Sequence, residues 1–286
     1  MSNLFVKKLT VIDFSYLCSK RGLVGESWQV DIELAGSLDH QGMVLDFSEV
    51  KKTVKRLIDD EFDHKLVIPT ENTGCSNEVN GKRIKNRFQL ESGAIIEHIA
   101  PDSAYCMLPC QQVSTECMAK SIKRRLKEQL PDNVEDVGLT LYPEAIEVPY
   151  YHYSHGLKHH GGNCQRIAHG HRSRIEIFEK GQHCLDLEQQ WAEKWRDIYI
   201  GTRSDIYREY TEADIRYIQF RYTACQGQFE LSLPADKCYL VDIDTTVENL
   251  AAHISSELEK SHPDRNLSVY AYEGIDKGAV SHLSKC

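Results

Sequence analysis

The chain has 286 residues and ten cysteines, but no two cysteines stand in C-x-x-C spacing. Neither a zinc ribbon nor a thioredoxin-type redox pair is therefore expected. From the opening MSNLFVKKL onward there is no apolar run long enough for a signal peptide or a membrane span. A cytoplasmic protein with reduced thiols and no membrane partner is expected. Basic residues are not in excess: 34 Lys and Arg face 43 Asp and Glu, a net charge of −9. That balance argues against nucleic acid as a partner, and a polyanionic substrate would need a local basic pocket. What the chain does have is a hydrophobic fraction of 41%, enough for packed cores, and a length that suits two domains of about 140 residues each.

Chemistry concentrates between Tyr150 and Phe178, where six of the thirteen histidines (His152, His155, His159, His160, His169, His171) accompany Cys164. Arg174 to Phe178 reads RIEIF, an alternating, β-branched strand, so His169 and His171 at its start project from one face. If Pro149 to Ser154 pairs with it as an antiparallel hairpin, His155 supplies a third imidazole beside them. Three histidines with an open fourth position form the ligand set of a catalytic zinc site. The competing reading is a histidine-rich loop that only solvates a surface. Cys164 lies five residues before the H-x-H pair, beside Gly161, Gly162 and Asn163. That places it on a flexible loop above the metal, where cationic charge favours a thiolate; the alternative is a buried inert thiol.

An internal repeat sets the architecture. Phe14 to Leu34 mirrors the histidine stretch, with Tyr16 or Cys18, Val24 and Glu26 at the ligand positions, so the N-terminal half is expected to be metal-free. Each half then carries a helix (GMVLDFSEVKKTVKRLIDDEF; HCLDLEQQWAEKWRDIYI), an inserted hairpin (Arg87–Ala100; Arg216–Leu233), a second helix and a closing strand. The reading is α+β, with residues 1–146 and 147–286 as tandem units, each a four-stranded antiparallel sheet with two helices on one face.

YSHGL, a cysteine and then HGH opening a strand resemble the zinc motif of the 6-pyruvoyltetrahydropterin and 6-carboxytetrahydropterin synthase family, which has the tunnelling fold. GMVLDFSEVKK, DEFDHKL, TTVENLAAHI and VYAYEGIDKGAV match in the same order. The resemblance implies zinc on His155, His169 and His171, with Cys164 taking a proton from the substrate's side chain. Asp63 and His64 match the family's Asp-His relay, whereas Asp197-Ile198-Tyr199 stands at that place in the second half. Zinc and thiol come from one half and the relay from the other; because the family places these groups on neighbouring subunits, a site shared between chains is favoured, and a site formed within one chain is the alternative. The pterin ring needs a carboxylate for its adjacent N–H donors. Glu144 and Glu273 both match the family's glutamate, and Glu144 is preferred because it belongs with His64.

The implied substrate is 7,8-dihydroneopterin triphosphate, a small molecule. Elimination of triphosphate would give a 6-pyruvoyl product; carbon–carbon cleavage with loss of acetaldehyde would give the 6-carboxy product used in queuosine and deazapurine biosynthesis. The motifs favour the 6-carboxy branch. The sheets of several units would join edge to edge into a barrel, so a homo-oligomer is expected. A further alternative is a non-catalytic, zinc-stabilised pterin- or purine-binding protein with Cys164 as fourth ligand.

Overall fold

Seventeen and fifteen residues of extended chain make β1 (Ser2–Cys18) and β2 (Gly22–Gly36), an antiparallel hairpin closed over a three-residue turn. The computed structural model describes residues 2–282. α1 (Phe47–Glu61) starts where the Asp46 carboxylate accepts the Ser48 N–H, a local N-cap, and buries Val50, Val54, Leu57 and Ile58 along one stripe. A helical crossover returns the chain in its original direction, so β3 (Leu66–Pro69) pairs parallel to β1. After β4 (Cys75–Asn80), β5 (Arg83–Gln89) and β6 (Ile95–Pro101), β7 (Tyr105–Leu108) pairs parallel to β3. α2 (Thr115–Lys127), capped by Ser114, leads to β8 (Val134–Pro143) on the far side of β2.

The second half repeats this path with β9 (Tyr150–His155), β10 (His169–Glu179), β11 (Gln182–His183), α3 (Leu185–Lys194) and β12 (Ile198–Thr202). It continues with β13 (Ile206–Glu212), β14 (Ile215–Ala224), β15 (Gly227–Pro234), β16 (Cys238–Val241), α4 (Val247–Ser261), β17 (Leu267–Tyr272) and β18 (Gly278–His282). The expected α+β class is observed. The sheets, however, are five-stranded (β7-β3-β1-β2-β8) and seven-stranded (β16-β12-β9-β10-β17-β18, with β11 on β10), and both are mixed rather than antiparallel. The difference arises because each helical crossover and each insertion adds a parallel strand at one edge.

The inserted hairpins do not decorate their own units. β6 pairs with β15, Leu231 opposite His98, so insertions from both halves build one six-stranded sheet, β13-β14-β15-β6-β5-β4. Three cores follow. Phe14, Val30 and Ile32 pack with α1 and α2; Ile175, Ile177 and Trp195 with α3 and α4; and Phe88, Phe220, Phe229 and Leu231 join the third sheet to Leu17, Leu23 and Ile167. The nine described cysteines are all free, and Cys286 lies outside the described residues. Among the described residues no helix is long and apolar enough to cross a membrane.

Candidate active site

The β9–β10 ladder places His155 directly opposite His169 and His171 opposite Tyr153. The three rings converge, with centroids 4.4 Å (His155–His169), 5.3 Å (His155–His171) and 5.6 Å (His169–His171) apart. All three are buried. The Nδ1 atom of His155 donates to the Thr245 carbonyl at 2.9 Å and that of His169 to the Arg166 carbonyl at 3.0 Å. A carbonyl can only accept, so each Nδ1 carries the proton and each Nε2 presents its lone pair. The Nε2 atoms of all three histidines are buried without a hydrogen-bond partner, and one ligand atom from each lies within 4.8 Å of the others. Burial, with neighbouring imidazoles adding to it, pushes the pKa values of His155 and His169 well below the usual range, so both are neutral at pH 7. Three buried Nε2 atoms without partners, two of them on neutral imidazoles whose Nδ1 protons are held by carbonyls, are what a resident metal cation requires. The residues fit a metal ion.

The relay comes from the other half of the same chain. Asp63 is hydrogen-bonded through Oδ2 to His64 Nδ1, and its Oδ1 accepts the Asp13 N–H at 2.8 Å. His64 adopts φ +52°, where the chain turns out of α1 into β3, and its ring lies 5.2 Å from that of His169 and 6.3 Å from that of His171. Cys164 offers its sulfur within 4.8 Å of ligand nitrogens of both His64 and His169. Burial disfavours a charged His64, but the Asp63 hydrogen bond and the Cys164 sulfur outweigh it and push its pKa up to about 10. Of the two arrangements, the favoured division between neighbouring chains is not the one observed: His64, Cys164 and the three histidines meet within one chain. The physical reason is the seam, where the β1–β2 hairpin docks on the β9–β10 hairpin with Ser15 Oγ 2.6 Å from Ser154 Oγ.

The registers also align the halves. Ser15 is opposite Gly25 and Ser154 opposite Gly170, so Tyr16, Val24 and Glu26 stand where His155, His169 and His171 stand. Ser15 pairs with Leu66 and Ser154 with Tyr199, so the counterpart of His64 is Asp197, also at positive φ (+54°), and not its neighbour Ile198. Around it an ion pair bridges the two halves. Arg21 donates to both Asp197 carboxylate oxygens, at 3.0 and 2.6 Å, and to the Tyr16 hydroxyl at 3.0 Å.

Of the two candidate glutamates, Glu144 and Glu273, only Glu273 lies beside the histidines. The Glu273 carboxylate lies 3.9 Å from Nε2 of both His155 and His171, because β17 pairs with the histidine-bearing β10. β8 pairs instead with β2, and the register puts Pro143 at the place of Glu273. Glu144 is one residue beyond, its carboxylate held by Arg174 at 2.6 Å.

Sequence reasoning missed the groups that hold the thiol loop. Gln226, in the β14–β15 turn, donates from its side chain to Asn163 Oδ1 at 2.8 Å and from its backbone to Gln165 Oε1 at 2.6 Å. Its side-chain oxygen accepts Arg166 Nε at 3.0 Å, and Arg166 in turn donates to the His64 carbonyl at 3.1 Å. Tyr222 donates to the Gln165 carbonyl at 2.8 Å. No local pattern signals these contacts, since they join segments from 57 to 102 residues apart.

The family model for 6-pyruvoyl tetrahydropterin synthase matches twice, over residues 18–146 and 144–281. A Rickettsia conorii protein named 6-carboxy-5,6,7,8-tetrahydropterin synthase is 26% identical over 102 residues, 35% of this chain and 74% of that protein. Among solved structures, the 6-pyruvoyltetrahydropterin synthases of Plasmodium vivax (21% identity) and Plasmodium falciparum (20%) each cover 49% of this chain and 90% of theirs, with a TM-score of 0.40. The two successive matches account for nearly the whole chain, which therefore belongs to the 6-pyruvoyl tetrahydropterin synthase family and consists of two fused family units.

Proposed function

We propose that the protein is a zinc-dependent lyase of 7,8-dihydroneopterin triphosphate that forms the 6-carboxytetrahydropterin product, as in queuosine and deazapurine biosynthesis. The observation that carries this reading is the convergence, in one chain, of three buried histidines with unpartnered Nε2 atoms and a thiol facing an Asp-His pair. His155, His169 and His171 would hold the zinc, which when bound supplies Lewis acidity to hydroxyls of the substrate's side chain. Cys164 accepts a proton from the adjacent C–H, and His64, oriented by Asp63, exchanges protons with the side-chain oxygen as general acid and base. Glu273 anchors the 2-aminopyrimidinone edge by accepting its adjacent N–H donors. The 6-carboxy product is favoured over the 6-pyruvoyl one by the sequence motifs and by the name that the Rickettsia relative bears. The Cys164 sulfur is within 4.8 Å of ligand nitrogens of both His64 and His169; its place beside the Asp63–His64 pair supports a proton acceptor, and a zinc–sulfur bond seen by X-ray absorption would support the fourth-ligand alternative instead. The protein would work as a homo-oligomer, because β7, β8, β16 and β18 are sheet edges left open in one chain.

The test is incubation of purified protein with 7,8-dihydroneopterin triphosphate, with and without a zinc chelator, and mass identification of the products. Acetaldehyde and the 6-carboxy compound are expected, and chelation should abolish both. Substrate left intact by the zinc-loaded protein would overturn the reading.

A further inference from the structure

His155 and His169 have their Nδ1 protons held by neutral carbonyls of their own half, but the third ligand is different. His171 Nδ1 is buried and makes no hydrogen bond of good geometry, but it lies 3.3 Å from Oδ1 of Asp13, a carboxylate of the N-terminal half, and both side chains are almost fully buried. Asp13 is itself fixed from several directions. Ser27 Oγ donates to its Oδ1, and Lys277 Nζ donates to its Oδ2 at 2.8 Å. Gly274, at φ +76°, makes room for it: a Cβ there would come within 2.5 Å of Asp13 Oδ1. Its backbone faces the relay. The Asp13 N–H donates to Asp63 Oδ1 at 2.8 Å, and the Asp13 carbonyl accepts the His64 N–H at 2.7 Å.

We infer that Asp13 is a positioning residue for both parts of the site: its carboxylate holds His171 in the Nδ1–H form with Nε2 free for a metal, and its peptide groups hold Asp63 and His64. A carboxylate behind a metal-bound imidazole fixes the ring's tautomer and orientation and raises its basicity as a ligand. The inference also explains why the N-terminal half, with Tyr16, Val24 and Glu26 in place of ligands, belongs to the metal site of its partner half. It supplies the acceptor behind one of the three histidines.

The inference rests on the zinc reading, and the test separates the two. Zinc affinity is measured by competition with a chromophoric chelator for the full-length wild type, Asp13→Asn and Asp13→Ala. The tautomer of His171 in the metal-free proteins is read from long-range nitrogen–proton NMR correlations. Expected are a 10–100-fold loss of zinc affinity in both variants, the range for removing such a partner, and loss of the Nδ1–H pattern at His171. Should Asp13→Ala fail to fold, Asp13→Asn, which is nearly isosteric, carries the comparison. A wild type that binds no zinc refutes the zinc reading, while the tautomer still tests Asp13. A wild type that binds zinc, with Asp13→Asn showing equal affinity and an unchanged His171 tautomer, overturns the inference. A purely structural role would lower the melting temperature of the metal-free variants without moving either readout.

Discussion

Gly25 and Gly170 face each other in backbone contact across the seam between the two halves. A Cβ on Gly170 would come within 2.7 Å of the Gly25 Cα, and one on Gly25 would lie 1.8 Å from the Tyr153 carbonyl oxygen and 2.6 Å from the His171 nitrogen. Backbone cannot give way as a flexible side chain can. Gly25→Ala is therefore expected to cost at least about 4 kcal/mol, within the range kept for severe core clashes, and to disturb the strand that carries His171. Gly161→Ala, in open space, should stay within about 0.5 kcal/mol. Thermal denaturation of the two variants decides: equal melting points would mean that the halves do not dock this way.

Metal content should be one zinc per chain. Tyr16, Val24 and Glu26 leave the first half without a three-histidine set, whereas His155, His169 and His171 complete one in the second. His169→Ala should remove the zinc. Elemental analysis of the purified protein gives the count, and two zincs per chain would contradict the asymmetric reading.

Cys164→Ala and His64→Ala should each lower turnover by about 10²–10⁴-fold, as removal of a general acid or base does, with zinc retained. Mixing and co-refolding the two inactive variants should restore nothing. Both groups sit at one site within one chain, so every site in the mixture still carries one lesion. Recovery of about a quarter of wild-type activity, the result for sites shared between chains under random pairing, would contradict the within-chain geometry.

Glu26 gives a pH signature. Burial pushes its carboxyl up to about 7 from 4.5, against the opposing pull of the Ser27 N–H and of Arg172 and Arg21. His152 Nδ1 lies 3.8 Å away. A folded-state pKa above the unfolded one means that the native protein binds the extra proton, so stability falls as pH rises from about 4.5 to about 7 and then levels off. The accumulated cost at pH 8 is on the order of 3 kcal/mol. Glu26→Gln should therefore melt higher than wild type at pH 8 and equally near pH 4. A difference independent of pH would refute the assignment.

Gln226→Ala should loosen the Cys164 loop, because it removes the side-chain contacts to Asn163 and Arg166. A fall in kcat of up to about 10²-fold is expected, the scale for misplacing a reacting group by about 1 Å, with the zinc count still one. Unchanged kcat would show that the loop holds its shape without the hairpin.

The sequence by itself determined the two-unit order, the helices with their apolar stripes, and the three convergent histidines. These are local or near-local facts: a period of 3.6 buries Val50, Val54, Leu57 and Ile58, and a two-residue period sets His169 and His171 on one face opposite His155. The family motifs lie in the same class, since each is a short run of residues. Only the tertiary structure decided which glutamate reaches the histidines, because that depends on whether a strand pairs with β2 or with β10. It alone merged the hairpins into one sheet, an outcome of edge pairing between segments more than a hundred residues apart. It also decided that the Asp63–His64 pair meets Cys164 within one chain and that Asp13 stands behind His171. Those contacts depend on how two hairpins cross at Gly25 and Gly170, where close approach of backbones, and no side-chain pattern, sets the docking.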